Sequence, residues 1–158
     1  MLELNEVVKR YSSASEDVRA VDRVSLRVEG GEMVSLQGPS GSGKTTLLLL
    51  AACALRADGG SVRYQGRDLG SLSEQQAAQY RLGEVGLIGQ GTHLMARVPA
   101  VENAATKLLL GGVALPEARR RAGEWLERVG LAEGAGDRIE ALSLGNRQRV
   151  QLAAALVH

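Results

Sequence analysis

The stretch Gly38-Pro39-Ser40-Gly41-Ser42-Gly43-Lys44-Thr45-Thr46 constrains this chain more than any other. It satisfies the spacing G-x-x-x-x-G-K-[ST] at every fixed position. Upstream, Met33-Val34-Ser35-Leu36-Gln37 reads as a short, mostly apolar strand; downstream, Thr45 to Leu55 reads as a helix apolar on all sides, and so expected to be buried. Strand, loop and helix in that order are what a phosphate cradle requires. Backbone N–H groups must converge on anionic oxygens, and side chains at Gly38, Gly41 and Gly43 would obstruct them. The helix N-terminus adds unpaired donors and a partial positive charge. Lys44 supplies a full charge to β- and γ-phosphates, and the Thr45 hydroxyl is placed to ligate Mg²⁺. The alternative is a glycine-rich turn that caps a helix and binds nothing. It leaves the Lys-Thr pair and the apolar flanks unexplained. The expected ligand is a nucleoside triphosphate.

Composition narrows the context of that site. At 158 residues the chain is one domain's worth, long enough for a real core. A net charge of +1 gives no electrostatic case for nucleic acid as a partner. Cys53 is the only cysteine, which points to a reducing compartment, and with two histidines, His93 and His158, excludes a Cys/His zinc cluster. Met1-Leu2-Glu3-Leu4 lacks the basic and apolar regions of a signal peptide. The longest apolar run, Leu47 to Leu55, is about half a membrane span, so any membrane link is expected to come through a partner.

Leu2 to Val8 and Val24 to Val28 alternate and read as strands, with a polar hairpin loop from Ser12 to Asp17 between them. Asp58-Gly59-Gly60 is a turn before a strand at Ser61 to Tyr64, and Gln65-Gly66-Arg67-Asp68 is a second turn. Ser71-x-x-Glu74 has the form of a capping box opening a helix to about Tyr80. Val85 to Ile88 reads as another apolar strand, ending at Gln90. Beyond Gly91 the pattern turns helical: Pro99 to Leu110, then a helix with Pro116 at its first position and Gly130 just past its end, then a last helix from about Asn146 to His158. In the second of these, Ala118, Ala122, Trp125, Leu126 and Val129 form the apolar stripe. Glu117–Arg121 and Glu124–Arg128 are i,i+4 pairs, so Arg119-Arg120-Arg121 reads as a balanced solvated face.

A phosphate loop is shared by kinases, GTPases, recombinases and transporter ATPases. Leu142-Ser143-Leu144-Gly145-Asn146-Arg147-Gln148-Arg149 narrows the field, because it resembles the Leu-Ser-Gly-Gly-Gln signature of ATP-binding cassette (ABC) proteins with the Gln-Arg and Ala/Leu-rich helix that follow it. The resemblance covers the whole chain. It looks closest to the lipoprotein-release and macrolide-export ATPases, through the long loop after Tyr11, Gly66-Arg67-Asp68-Leu69, Val101-Glu102-Asn103 and Glu127-Arg128-Val129-Gly130-Leu131. It implies an α/β fold: a P-loop NTPase (RecA-like) core with flanking antiparallel strands over about 1–89, a helical subdomain over about 90–145, and a helix over 146–158 returning to the core. It also implies roles. Tyr11 stacks on adenine, and residues 38–46 hold the phosphates of ATP. Gln90, at the family's Q-loop, senses Mg²⁺ and the attacking water. Ser143 and the Gly145 backbone meet the γ-phosphate on a second, head-to-tail cassette. The implied partner is a transmembrane permease, with this chain cytoplasmic and peripheral on the inner face of the cell membrane, hydrolysing ATP to drive transport.

Two features depart from the family pattern. Leu144 stands for the signature's first Gly and Asn146 for its Gln, and Ile88-Gly89 lacks the usual aromatic before Gln90. The family's Walker B carboxylates and switch His have no counterpart up to residue 158. The chain is therefore expected to be C-terminally incomplete, marginally folded and without ATPase activity by itself, with Val150, Ala153, Leu156 and Val157 partly wet. Leu94 and Met95, after the Q-loop, are expected either to dock the permease or to pack under the helical subdomain. Two alternatives stand beside the transporter reading. One is a cassette that binds ATP but regulates or scaffolds without hydrolysis. The other is a soluble DNA-repair or chromosome ATPase, which would need a coiled-coil or zinc insertion.

Overall fold

A computed structural model describes residues 1–12, 17–91 and 93–157. The centre of the expected hairpin loop (13–16), Thr92 and His158 lie outside the described residues. The chain divides into two compact units, Met1–Arg81 and Leu82–His158.

The first unit is built on a four-stranded antiparallel sheet in the order β2-β1-β3-β4. Its strands are β1 (Leu2–Ser12), β2 (Asp17–Val28), β3 (Gly59–Tyr64) and β4 (Arg67–Asp68). Leu4 faces Leu26 on one side and Val62 on the other, so one apolar row crosses three strands. Val7 in β1 is fully buried, a burial worth about 1.5–3 kcal/mol for such a side chain. β1 and β2 run further than the alternation suggested, because bulges absorb the breaks in pattern. Glu6 and Arg23 take φ of 48° and 49°, and the register shifts between Leu4 and Val7. The β3–β4 turn places Gln65 and Gly66 at φ 49° and 82°, as a tight two-residue hairpin requires.

Helix α1 (Lys44–Ala51) packs against β1 and β2. It ends sooner than expected, and it is not buried all round: Leu47 and Leu50 face inward while Leu48 is 51% exposed. The expected strand at Met33 to Gln37 is not formed. No ladder bonds reach it among the described residues, and Met33 is 96% exposed. An apolar five-residue run becomes a strand only where a neighbour takes its N–H and C=O groups. Helix α2 (Glu74–Glu84) is capped two residues later than the sequence suggested. Ser73 and Gln76 form the reciprocal box, at 3.2 Å from the Gln76 amide to Ser73 Oγ and 3.0 Å from the Ser73 amide to Gln76 Oε1. Glu74 instead pairs with Arg56 at 2.9 Å.

The second unit packs α3 (Ala100–Leu110), α4 (Leu115–Arg128) and α5 (Leu144–Leu156) around one core. Alanines at the contacts, Ala104, Ala105, Ala118, Ala122 and Ala153, are near or at zero exposure and let the helices approach closely. Trp125 and Val129 pack partly buried against them. Glu117 pairs with Arg121 at 2.7 Å as expected, but Glu124 takes Arg120 at 2.6 Å, while Arg128 lies over the Trp125 ring at 4.7 Å. α5 begins two residues before Asn146. Val150, Ala153 and Val157 are fully buried against α3 and α4 rather than partly wet, and Leu156 is 37% exposed. The expected strand at Val85 to Ile88 is likewise absent, with Leu87 and Ile88 about half exposed. Among the described residues, no helix is long and apolar enough to cross a membrane.

Candidate functional site

In the first unit, Gly38 to Thr46 wraps the start of α1. Gly43 is the N-cap, held at φ 84°, where a Cβ would collide with the Ala20 carbonyl oxygen of β2. Gly38 is also tight, since its Cβ would meet Ser42 Oγ at 2.9 Å. Gly41 has open space around it, so its need for glycine rests on φ 80° alone. No side chain caps the helix, and no acidic residue sits in its first turn. The first backbone bond of α1 runs from the Leu47 amide to Gly43 O at 2.8 Å. The amides of Lys44, Thr45 and Thr46 therefore stand outside the helical ladder, as the first amides of any helix do. An anion is what such a terminus accepts.

Lys44 folds back over the loop. Its Nζ donates to Gly38 O at 2.9 Å, Pro39 O at 2.6 Å and Ser42 Oγ at 3.2 Å, which engages all three ammonium protons. The positive charge thus lies within the curve of the loop. Thr45 is exposed. A cavity of about 470 Å³ opens beside the loop, lined among others by Arg19, Ala20, Gln37, Ser42 and Lys44. Tyr11 pairs with Val18 at the hairpin end of the β1–β2 ribbon, two residues along β2 from the Ala20 that Gly43 abuts. Its ring is 45% exposed, and Lys9 Nζ lies 6.0 Å from the ring centroid. Asp58 anchors that end of β1 by accepting from Lys9 Nζ at 2.8 Å and the Arg10 amide at 2.7 Å. Those bonds, Lys9 first, hold its carboxyl below the usual carboxylate range.

The second unit holds Gln90, Ser143 and Gly145. Gln90 is exposed on an irregular segment pinned from two sides. Lys107 Nζ donates to Val85 O at 3.0 Å, and burial pushes that ammonium's pKa down. Gln151 Nε2 of α5 donates to Gly91 O at 2.8 Å. Ser143 is the N-cap of α5, its Oγ accepting from the Asn146 amide at 3.3 Å. Leu144 points outward at 67% exposure, and a Cβ on Gly145 would meet nothing within 4 Å. The start of α5 is therefore bare on its outer side.

Asn103 was not among the sequence candidates for the site. It is 4% exposed, yet its amide group is fully used. Oδ1 accepts from the Met95 amide at 2.7 Å, while Nδ2 donates to the carbonyls of Met95, Val98 and Pro99 at 3.1–3.2 Å. An Asn on the alanine face of α3 was the available signal, since a buried amide needs partners. Below this staple, Leu94 packs against the helical core, whereas Met95 stays 48% exposed.

A family model described as ABC transporter matches residues 21–158. The lipoprotein-releasing system ATP-binding protein LolD of Paramagnetospirillum magneticum is 37% identical over 157 residues, 99% of this chain and 70% of that relative. The macrolide export ATP-binding/permease protein MacB of Syntrophobacter fumaroxidans is 38% identical over 160 residues. That alignment takes in 100% of this chain, which spans only 22% of the relative's length. Among solved structures, the dimeric bacterial ABC transporter cassette MJ0796 superimposes with a TM-score of 0.91 at 32% identity, covering 99% of this chain and 69% of that one. The same cassette in a dimeric post-hydrolysis state bound to ADP and Pi matches equally well, at a TM-score of 0.91.

Proposed function

The chain belongs to the ABC transporter family, and from that premise we propose that it is the ATP-binding subunit of a transporter of the exporter or lipoprotein-release kind. Its fold is that of the P-loop nucleotide-binding cassette. The observation that carries the reading is the uncapped start of α1 inside a loop that needs glycine at positions 38, 41 and 43, with Lys44 folded over it.

Residues 38–46 fit the phosphates of ATP. The free amides of Lys44, Thr45 and Thr46 donate to phosphate oxygens, and Lys44 exchanges its loop carbonyls for the β- and γ-phosphates. Tyr11 offers its exposed ring to the adenine, a stack worth about 1–3 kcal/mol elsewhere. Mg²⁺ bound with the nucleotide would neutralise charge on the phosphates, and the exposed Thr45 hydroxyl is the side chain of the loop that would approach it; Gln90 keeps the Q-loop role that the family resemblance implies. Ser143 and Gly145 act on a nucleotide held by a second cassette in a head-to-tail dimer, using the bare start of α5. A permease provides the membrane attachment on the cytoplasmic face, and the exposed Met95 belongs to the surface that meets it.

The test is Lys44→Ala. Affinity for a fluorescent ATP analogue should fall at least about tenfold, equivalent to about 1.4 kcal/mol. An unchanged titration would overturn the assignment.

A further inference from the structure

Among the described residues nothing packs on Leu144 or Gly145 on the outer side of the first turn of α5, so its position has to be fixed from within. The guanidinium of Arg147 does this. Its Nε donates to Ile139 O at 3.1 Å and Leu142 O at 2.9 Å, and Nη2 donates to Glu140 O at 3.1 Å. Those are carbonyls of the turn that leads directly into Ser143. The turn is buttressed from the opposite side, where the Ile139 and Glu140 amides donate to Val98 O at 3.3 Å and Ala96 O at 2.9 Å. Ile139 and Leu142 root it in the helical core. By contrast, the cap from Ser143 Oγ to the Asn146 amide is long, at 3.3 Å, and weak as a restraint.

We propose that Arg147 is a positioning residue that sets Ser143 and the first amides of α5 for contact with the terminal phosphate of a nucleotide on a second cassette. The proposal rests on the cassette reading above. A planar fork of N–H groups can span several carbonyls at once, which a lysine ammonium on a flexible stem does not reproduce. Leu144, standing outward beside Ser143, leaves little tolerance for a shift, because a displaced turn would carry a bulky side chain into the approach path.

The full chain is compared as wild type, Arg147→Gln and Arg147→Lys by amide hydrogen exchange. Arg147→Gln should speed exchange at Ala141, Leu142 and Asn146 about tenfold, as loss of about one net hydrogen bond implies. The amides of Ala153 to Val157 should not change, and Arg147→Lys should recover only part of the difference. In parallel, the ATP concentration for half-maximal self-association should rise about tenfold with Arg147→Gln, by the same arithmetic, while binding of a fluorescent ATP analogue to the single chain is unaffected. A uniform rise in exchange through α3, α4 and α5 would show a merely structural role and overturn the proposal, as would unchanged exchange over 139–146. A wild-type chain that binds no nucleotide would refute the cassette reading instead, and the exchange pattern would still decide whether Arg147 holds Ser143.

Discussion

A methyl group added to Gly43 would drive into the Ala20 carbonyl oxygen, whereas one added to Gly145 would meet nothing. The first glycine is required by the fold of the loop. The second sits in the first turn of α5, where glycine is a weaker helix former than alanine and gains no packing in return. In the proposed dimer, the bare backbone at Gly145 lets a partner's nucleotide approach closely. Gly145→Ala should raise the melting temperature or leave it unchanged, yet weaken ATP-driven self-association. A melt that falls by several degrees would mean the glycine is structural. The conformation of the loop was legible in the sequence because glycine at 38 and 43 follows from backbone geometry, whereas Lys44 and Thr45 follow from the chemistry of the expected ligand. Asn103 and Arg147 were not legible, since their partners are backbone amides and carbonyls, which carry no side-chain signature.

Elements were legible where the sequence carries its own stop and start signals. Pro116 opens α4, and Gly130 lies just beyond its end at φ 73°. The segments at 33–37 and 85–88 carry no such signals. Their apolar runs describe a strand only in the company of other strands, and the structure leaves them unpaired among the described residues. The Ser73–Gln76 box formed in place of the expected Ser71–Glu74 box because Ser71 belongs to a 3₁₀ turn, Leu69–Ser71, that ends before the helix begins, and the Glu74 carboxylate is paired with Arg56. On α4, the Arg120 and Arg121 guanidinia beside Glu117 lower its pKa from 4.5 to about 2. A depressed carboxylate stabilises the fold above its ordinary pKa and loses that contribution as pH falls through the folded value. The helix should therefore keep this pairing down to mild acid and lose it between about pH 4.5 and 2. Carboxyl NMR titration of Glu117 checks this, and a midpoint near 4.5 would contradict it. The three side chains lie at the surface and are about half exposed, so Glu117→Gln should cost little at neutral pH.

At the scale of the whole molecule, the proposed contacts fall into two sets by compact unit. Tyr11 and residues 38–46 lie in Met1–Arg81, whereas Gln90, Ser143 and Gly145 lie in Leu82–His158. A ligand stabilises the parts that hold it, by about 2.7 kcal/mol at a hundredfold excess over Kd. Nucleotide bound by one chain should therefore slow amide exchange at the start of α1, at Lys44 to Leu47. Among the described residues nothing lies within 4 Å of where a Cβ on Gly145 would stand, and in the proposed dimer the start of α5 is protected by a second chain's nucleotide. Hydrogen exchange with ATP at low protein concentration should show slowing confined to the α1 region. At high concentration, where two cassettes meet, the amides of Gly145 and Asn146 should slow as well. At an ATP concentration near the wild-type Kd, Lys44→Ala should weaken both effects strongly, since a roughly tenfold loss of affinity then leaves the chain carrying little nucleotide to either site. Slowing at α5 that is independent of protein concentration would mean that Ser143 and Gly145 meet the chain's own ligand, and the head-to-tail arrangement would be wrong. Protection at α5 that survives Lys44→Ala would separate that surface from nucleotide altogether.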